Sequence, residues 1–418
     1  MDQKLKSLQV ISGTKRNIFI NIILGLIVFK QIFDLDWRWS LFFIGTKPVP
    51  FHQIVAILVP IMIIILASVK ILSGNTIYVN DNKYLFFLFI LVTFSTVVNI
   101  SLNSLDEYLR ILNFITVFLL FPTLLQDEKK FYQVVKFVLL VSIIPTLISY
   151  FQAFNLISGS YIDYLPYIGK IGRITGGYRH PTGYLNYIIV LIPLSIYLYN
   201  KGVMRKNIFW PWIIFTIPML IRSFHRATLI IIFLVLVFYI LFNKKIWLKI
   251  TSIIILFIFL AFSFNYIWAF INQGDALTGF AFRGRDAIWF TYIDHFQSSF
   301  FYQRIIGLGN PNLSSGADEP HSDWLRILFN YGYLGIIFYI LFLVNLFIIF
   351  IRKLITIKKK YWVESEAFLG IILIVIIVLY SITMEPLRFS SFSWIYALVL
   401  GFLYSKTRKN KKIFVSRT

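Results

Sequence analysis

The sequence predicts an all-α fold, a polytopic transmembrane helical bundle of about twelve spans, on three observations. Of its 418 residues, 58% are hydrophobic and only 14% charged, more apolar surface than a soluble domain of this size requires. Apolar runs close to the ~20 residues that cross a ~30 Å hydrocarbon core recur along the whole length. Nothing between them is long enough for a soluble domain of ordinary size, so residues 1–418 read as a single membrane domain.

In chain order the runs place spans at 17–34, 54–73, 84–101, 108–125, 133–157, 182–199, 208–221, 227–242, 249–268, 328–351, 366–383 and 390–404. Lys4, Lys6, Lys15 and Arg16 precede the first, and no small-residue cleavage site follows it, so it reads as an uncleaved span and not a signal peptide. An even number returns both termini to one side. The basic stretches NKK (243–245), RKLITIKKK (352–360) and SKTRKNKK (405–412) fall on that side, which the positive-inside rule makes cytoplasmic. This topology puts 26 Lys and Arg inside, 13 outside and Lys30 within the first span, accounting for all 40; of the 18 acids, 6 lie inside and 12 outside. The net charge of +22 is therefore a topology signal, which calls for no nucleic acid, only anionic lipid headgroups.

The two faces also differ in kind. Inside, 21 of the 26 cations are Lys; outside, 11 of the 13 are Arg. Topogenesis accounts for the lysines. It does not account for an external arginine surplus, and guanidinium is the group suited to bidentate grip on phosphate or carboxylate. All five histidines (His52, His180, His225, His295, His321) map outside too. The plainer reading is that external loops collect polar residues and that some arginines pair with the external acids.

Two external loops stand out. Residues 269–327 form a large periplasmic loop whose Trp289, Tyr292, Phe296, Phe300, Phe301 and Tyr302 recur periodically, which predicts a helix lying on or dipping into the interface. Residues 158–181 hold GKIGRITGGYRHP, whose glycines allow close backbone approach to a ligand. A secondary carrier would share the helix number, but the sequence has no internal repeat, only a short 200–207 link between its halves, and few deep polar residues beyond Asn21, Lys30 and Asn345. Cysteine is absent, which removes disulfides, thiolate metal sites and thiol catalysis.

In EPHSDWLRILFNYGYLG (319–335), Pro320 with Ser322 or Asp323 signals a helix start, so His321 belongs at or just before a helix amino end. There the helix dipole disfavours imidazolium and keeps the ring neutral, the form that accepts a proton. A capping or interfacial histidine is the alternative. Asp323, Arg326 and Asn330 share one helix face, as a structural ion pair and polar seam. IRSFHRATL places Arg222, His225 and Arg226 at the external membrane boundary, where cations need a partner acid or an anionic ligand. FRGRD adds Arg283 and Arg285, and the shorter loop adds Arg173 and Arg179. Together they point to several loops converging on one multiply charged anion, such as a lipid phosphate or pyrophosphate. No nucleotide-phosphate loop, metal-ligand cluster or paired-carboxylate motif competes.

These stretches resemble the bacterial O-antigen polymerases and ligases and their relatives in capsule synthesis. The resemblance rests on His321-Ser322 followed after nine residues by Gly332-Tyr333-Leu334-Gly335, FRGRDAIW with GLGN ahead of the histidine, SFHRA before an apolar span, and GGYRHPTGYLNY opening the sixth. It covers roughly residues 170–350 specifically and the remainder by helix number. The family implies a metal-independent, inverting glycosyltransferase of the bacterial inner membrane, without cofactor, whose donor and acceptor are undecaprenyl-pyrophosphate-linked glycans. His321 matches the histidine that activates the acceptor hydroxyl. Arg226 and one of Arg283 and Arg285 match arginines that hold the donor pyrophosphate, with Arg173 or Arg179 a looser match. The implied activity is polymerisation of repeat units at the periplasmic face, alongside a flippase and a chain-length regulator. A ligase passing glycan to lipid A core uses the same chemistry, and a lipid-glycan flippase is the reading from another class.

Overall fold

The computed structural model describes residues 2–35, 40–44, 47–72, 77–125, 127–157, 161–165, 169–178, 180–223, 225–242, 285–309, 320–408 and 411–413. Its helices are α1 (Asp2–Phe33), α2 (Phe51–Leu72), α3 (Lys83–Val98), α4 (Leu102–Leu124), α5 (Glu128–Val141), α6 (Ile143–Ala153), α7 (Pro181–Asn200), α8 (Lys206–Arg222), α9 (Arg226–Phe242), α10 (Arg285–Ser298), α11 (Phe301–Ile306), α12 (Asp323–Thr356), α13 (Glu366–Thr383) and α14 (Ser390–Thr407). Three two-stranded antiparallel ladders, Ser40–Ile44 with Lys47–Pro50, Ile77–Val79 with Lys411–Ile413 and Tyr161–Leu165 with Gly169–Arg173, bind connecting segments and form no sheet core.

Side chains that satisfy orphan amides mark the helix starts. Asn82 accepts from the Leu85 N–H at 3.2 Å, Ser101 and Ser104 form a reciprocal capping box, and Ser365 accepts from Phe368. Eleven of the twelve apolar segments fall on helices, and 249–268 lies outside the described residues. Five described stretches are long and apolar enough to cross a membrane: Gln53–Leu72, Glu128–Ala153, Pro181–Asn200, Asp323–Thr356 and Glu366–Thr383. Ile18–Phe33, Lys83–Val98 and Ala227–Phe242 are shorter apolar helices.

α7 and α14 are buried on nearly every side, as befits helices that are apolar all round, and α14 packs against α4, α7 and α13. The deep charge on Lys30 is met by Asp34, which also accepts from the Tyr187 hydroxyl at 2.9 Å, and the ammonium lies 5.6 Å from the Trp394 ring centroid. Ionic contacts gather at the two ends of the bundle. Glu128–Lys406 (2.6 Å) and Lys201–Glu366 (2.7 Å) lie where α13 begins and α14 finishes; Arg326 with Glu107 and Glu385 lies at the opposite end.

The apolar side of α10 turns inward. Tyr292 and Phe296 pack against Phe329 of α12, and Asp294, Gln297 and Ser298 face outward, so this part of the aromatic stretch covers protein, while Phe300, Phe301 and Tyr302 beyond it stay exposed. The periodicity reported an apolar face correctly but could not say what covers it.

α12 breaks at Gly332, whose φ of 67° and ψ of −167° interrupt the hydrogen-bond ladder. The carbonyls released by the break are met by another segment: Leu308 N–H donates to Phe329 O at 2.8 Å and Gly309 N–H to Asn330 O at 3.1 Å. Ser95 adds a 3.0 Å bond to Asn330 O, and Asn99 Nδ2 one of 3.2 Å to Gly307 O. The approach demands glycine on both sides, since a Cβ on Gly307 would lie 2.0 Å from Asn330 O and one on Gly332 2.4 Å from Ile305 O. GLGN and GYLG are thus the two halves of one clasp. Gly332→Ala should cost more than about 3 kcal/mol, because the backbone must move. Gly202→Ala, at φ 73° but in open space, should cost about 1 kcal/mol. Thermal unfolding of the purified variants measures both, and equal losses would contradict the clasp.

Candidate functional site

α13 ends where MEPLR follows, because Pro386 supplies no N–H to extend the helix and opens a short 3₁₀ turn, Pro386–Arg388. The segment Tyr380–Arg388 is where distant parts of the chain meet. The Tyr380 hydroxyl donates to Asn186 Oδ1 at 2.9 Å, and the His225 ring stands edge-on to Tyr380 at 6.4 Å. Ser322 Oγ donates to Ser381 O at 3.0 Å, and Ser381 Oγ to Asp323 Oδ2 at 3.2 Å. Arg285 Nη1 donates to Thr383 O at 2.8 Å. Asp323 donates its N–H to Met384 O at 3.1 Å and accepts from the Leu387 N–H at 3.0 Å.

His321 sits one residue ahead of Ser322, the residue flanking α12, as its sequence context predicts. Its side chain is exposed and its φ is 48°, a left-handed conformation that costs a β-carbon residue about 1–2 kcal/mol and persists only where its surroundings impose it. Two contacts do so: the His321 N–H donates to the Glu385 carboxylate, and Trp289 Nε1 donates to Pro320 O at 2.8 Å. The imidazole therefore projects from a backbone fixed on both sides.

The other histidines with described side chains are accounted for locally. His180 accepts the Thr182 N–H at the start of α7, His225 accepts the Thr228 N–H at the start of α9, and His295 stacks on Phe329.

Several of the arginines expected on the external side have partners among the described residues. Arg326 binds Glu107 through Nε at 2.6 Å and through Nη2, and its Nη1 lies 3.6 Å from Glu385; Asn330 also donates to Glu107, at 3.3 Å. Arg388 pairs with Glu385 at 3.1 Å and Arg110 with Asp106 at 3.0 Å. These three are held by acids. The expected Asp323–Arg326 pair does not form, since Asp323 turns to Ser381 and the Leu387 amide; only the polar seam through Asn330 holds. Arg173 and Arg285 each donate to a carbonyl, Arg173 through Nε to Ser223 O at 2.8 Å. Ser223 follows the exposed Arg222 and precedes His225 and Arg226 by two and three positions, so Arg173 ties the shorter loop to the α8–α9 turn. Arg226 opens α9, but its side chain, like Arg179 and Arg283 entirely, lies outside the described residues.

Sequence reasoning missed Glu107 and Glu385. Their signal was an acid next to long apolar runs, in SLDEY and TMEPLR, where a carboxylate persists only with a partner. Burial lifts the Glu385 carboxyl above its usual range, opposed by Arg326, and burial followed by Arg110 lowers Arg388 to about 10. Among the described residues no three His, Asp or Glu side chains gather as a metal site. No protein-family model and no curated protein matches the chain.

Removing one member of the buried Glu107–Arg326 pair strands the other. Glu107→Gln or Arg326→Met should each cost about 3–5 kcal/mol, and the double variant less than their sum, as read from unfolding midpoints. The raised Glu385 carboxyl adds a pH signature. Its stability contribution is fully present below the ordinary range near 4.5 and is lost as pH rises through the folded value. The stability of the wild type relative to Glu385→Gln should therefore fall as pH rises above that range, and a pH-independent difference would contradict the assignment.

Proposed function

We propose that this chain is a membrane glycosyltransferase that polymerises lipid-linked oligosaccharide repeat units into O-antigen or capsular polysaccharide. One observation carries the reading. The four stretches on which the family resemblance rests, separated by up to about 150 residues, all reach the turn Tyr380–Arg388: GGYRHPTGYLNY through Asn186, SFHRA through His225, FRGRD through Arg285, and the histidine segment through Ser322 and Asp323.

In this reading an acceptor hydroxyl oxygen attacks the anomeric carbon of the donor sugar opposite the pyrophosphate. Its proton passes to the His321 imidazole. The carbon–oxygen bond to pyrophosphate breaks, its electron pair leaves with undecaprenyl pyrophosphate, and the configuration inverts. The leaving group is already activated, so the protein supplies orientation, a base and charge stabilisation. Arg285 or Arg283, with Arg226, Arg222 and Arg173 or Arg179, would carry the diphosphate charge, which suits a planar guanidinium better than an ammonium. We read the chain as crossing the bacterial cytoplasmic membrane about twelve times, with both termini cytoplasmic and the turn facing the periplasm; the sidedness of the +22 charge supports this.

His321→Ala should lower turnover by about 10²–10⁴-fold and Arg285→Ala by about 10²–10³-fold, at unchanged membrane levels. The readout is the glycan ladder in cells that depend on the variant, collapsed to single repeats for a polymerase. Accumulated long lipid-linked polymer would assign the chain as the ligase instead, and a normal ladder from both variants would refute the site.

A further inference from the structure

α12 is too long for the membrane it would cross. Its 34 residues break at Gly332, and the continuous part that follows, Tyr333–Thr356, alone rises about 36 Å, more than a ~30 Å hydrocarbon core. Arg352 and Lys353 mark the headgroup level at its far end. Nineteen residues before them, about 28 Å up the axis, lies Tyr333, immediately after the Gly332 break. The outward side chains of α12 agree with that limit, since Tyr333, Ile337, Ile340, Val344 and Phe347 form an exposed stripe at helical spacing.

The surface beside Tyr333 is unlike ordinary loop surface. Phe296 meets Tyr333 edge-on at 5.3 Å, and a few residues on Phe300 and Phe301 are each 72% exposed, with Phe300 stacked on Tyr302 at 6.0 Å. The Arg304 guanidinium lies 5.9 Å from the Phe301 ring. The α3–α4 turn presents Ile100 and Leu102 at 83% and 85% exposure. It belongs to the same rim, because Asn99 bonds Gly307 O and packs on Gly309 just past α11. That rim continues the outward stripe of α3, Phe86, Ile90, Phe94 and Val97. By contrast, Asp294, Gln297 and Ser298, only a few residues before Phe300, present a polar surface.

We infer that Phe300–Tyr302 and Ile100–Leu102 are one membrane-seated rim, buried in the acyl–headgroup boundary of the bilayer, with the water boundary crossing the chain between Gln297 and Phe300. Bilayer lipid is the occupant because the rim prolongs two outward apolar stripes, and aromatic rings beside an arginine suit the interface, where one side is apolar and the other wet. α10 then stands upright beside the first turns of α12, from Trp289 at Pro320 to Phe296 at Tyr333, and does not lie flat. The residues of α12 before the Gly332 break, with His321 ahead of them, then lie on the headgroup side of the rim, where a sugar is soluble. The inference needs only that α12 crosses a bilayer, and it stands or falls apart from the glycan chemistry.

The chain has no cysteine, so Phe301→Cys, Ile100→Cys and Asp294→Cys each create a unique labelling site. The full-length protein, bearing a bimane fluorophore at one site, is placed in nanodiscs of phosphatidylethanolamine and phosphatidylglycerol. Labels at 301 and 100 should lose most of their emission to lipids carrying a shallow nitroxide and little to aqueous iodide, with the reverse at 294. Tyr302→Cys repeats the test where Phe301→Cys does not yield folded protein. Iodide quenching at 301 and 100 would overturn the inference. So would protection from both quenchers, which would mean that a second copy or another protein covers the rim.

Discussion

A hydrocarbon interior offers no hydrogen bonds, so every polar group that a helix end or a break carries towards it must be met by another part of the same chain. That requirement arranges the end of this bundle that carries His321. Arg326, with 7% of its side chain exposed, cannot be left alone at a cost of several kcal/mol, and Glu107 and Glu385 answer it from α4 and from the turn after α13. Glu385 also takes the His321 amide and Arg388, so a charge pair that looks merely structural fixes the backbone of the candidate base. The Gly332 break obeys the same rule, its released carbonyls being met by Leu308, Gly309 and Ser95.

Convergence on Tyr380–Arg388 follows from this economy. A turn between two buried helices exposes several carbonyls and amides at once, and the segments carrying Arg285, Ser322 and Asp323 use them. Rigid helices thereby position groups drawn from loops, the arrangement by which a scaffold presents chemistry. Six acidic or basic side chains are neutralised among themselves beside it: Asp106, Glu107, Arg110, Arg326, Glu385 and Arg388. Arg173 and Arg285, which donate to the carbonyls of Ser223 and Thr383, come from the loops whose motifs pointed to an anion.

The helices were legible because apolar runs of spanning length have few alternative readings, and the placement of His321 was legible because Pro320 and Ser322 are local start signals. Partner choice was not legible. Helical spacing points Arg326 to Asp323 on its own face, whereas its partner is Glu107, 219 residues away. Gly332 and Gly307 read as parts of a family motif, yet their role is steric, an approach that excludes a Cβ on either side. The aromatic period of 289–302 marked an apolar face, of which Tyr292 and Phe296 meet protein while Phe300, Phe301 and Tyr302 stay exposed, since periodicity records that a face is apolar and not what covers it.

The central claim is that guanidinium groups from separate loops and the imidazole of His321 serve one diphosphate at this turn. The most direct test is an electron cryo-microscopy map of the protein in nanodiscs containing undecaprenyl pyrophosphate. The account predicts diphosphate density within hydrogen-bonding distance of Arg285 and at least one further loop arginine, with the His321 ring facing the sugar side of it. Diphosphate density elsewhere, with Arg285 still committed to Thr383, would contradict it.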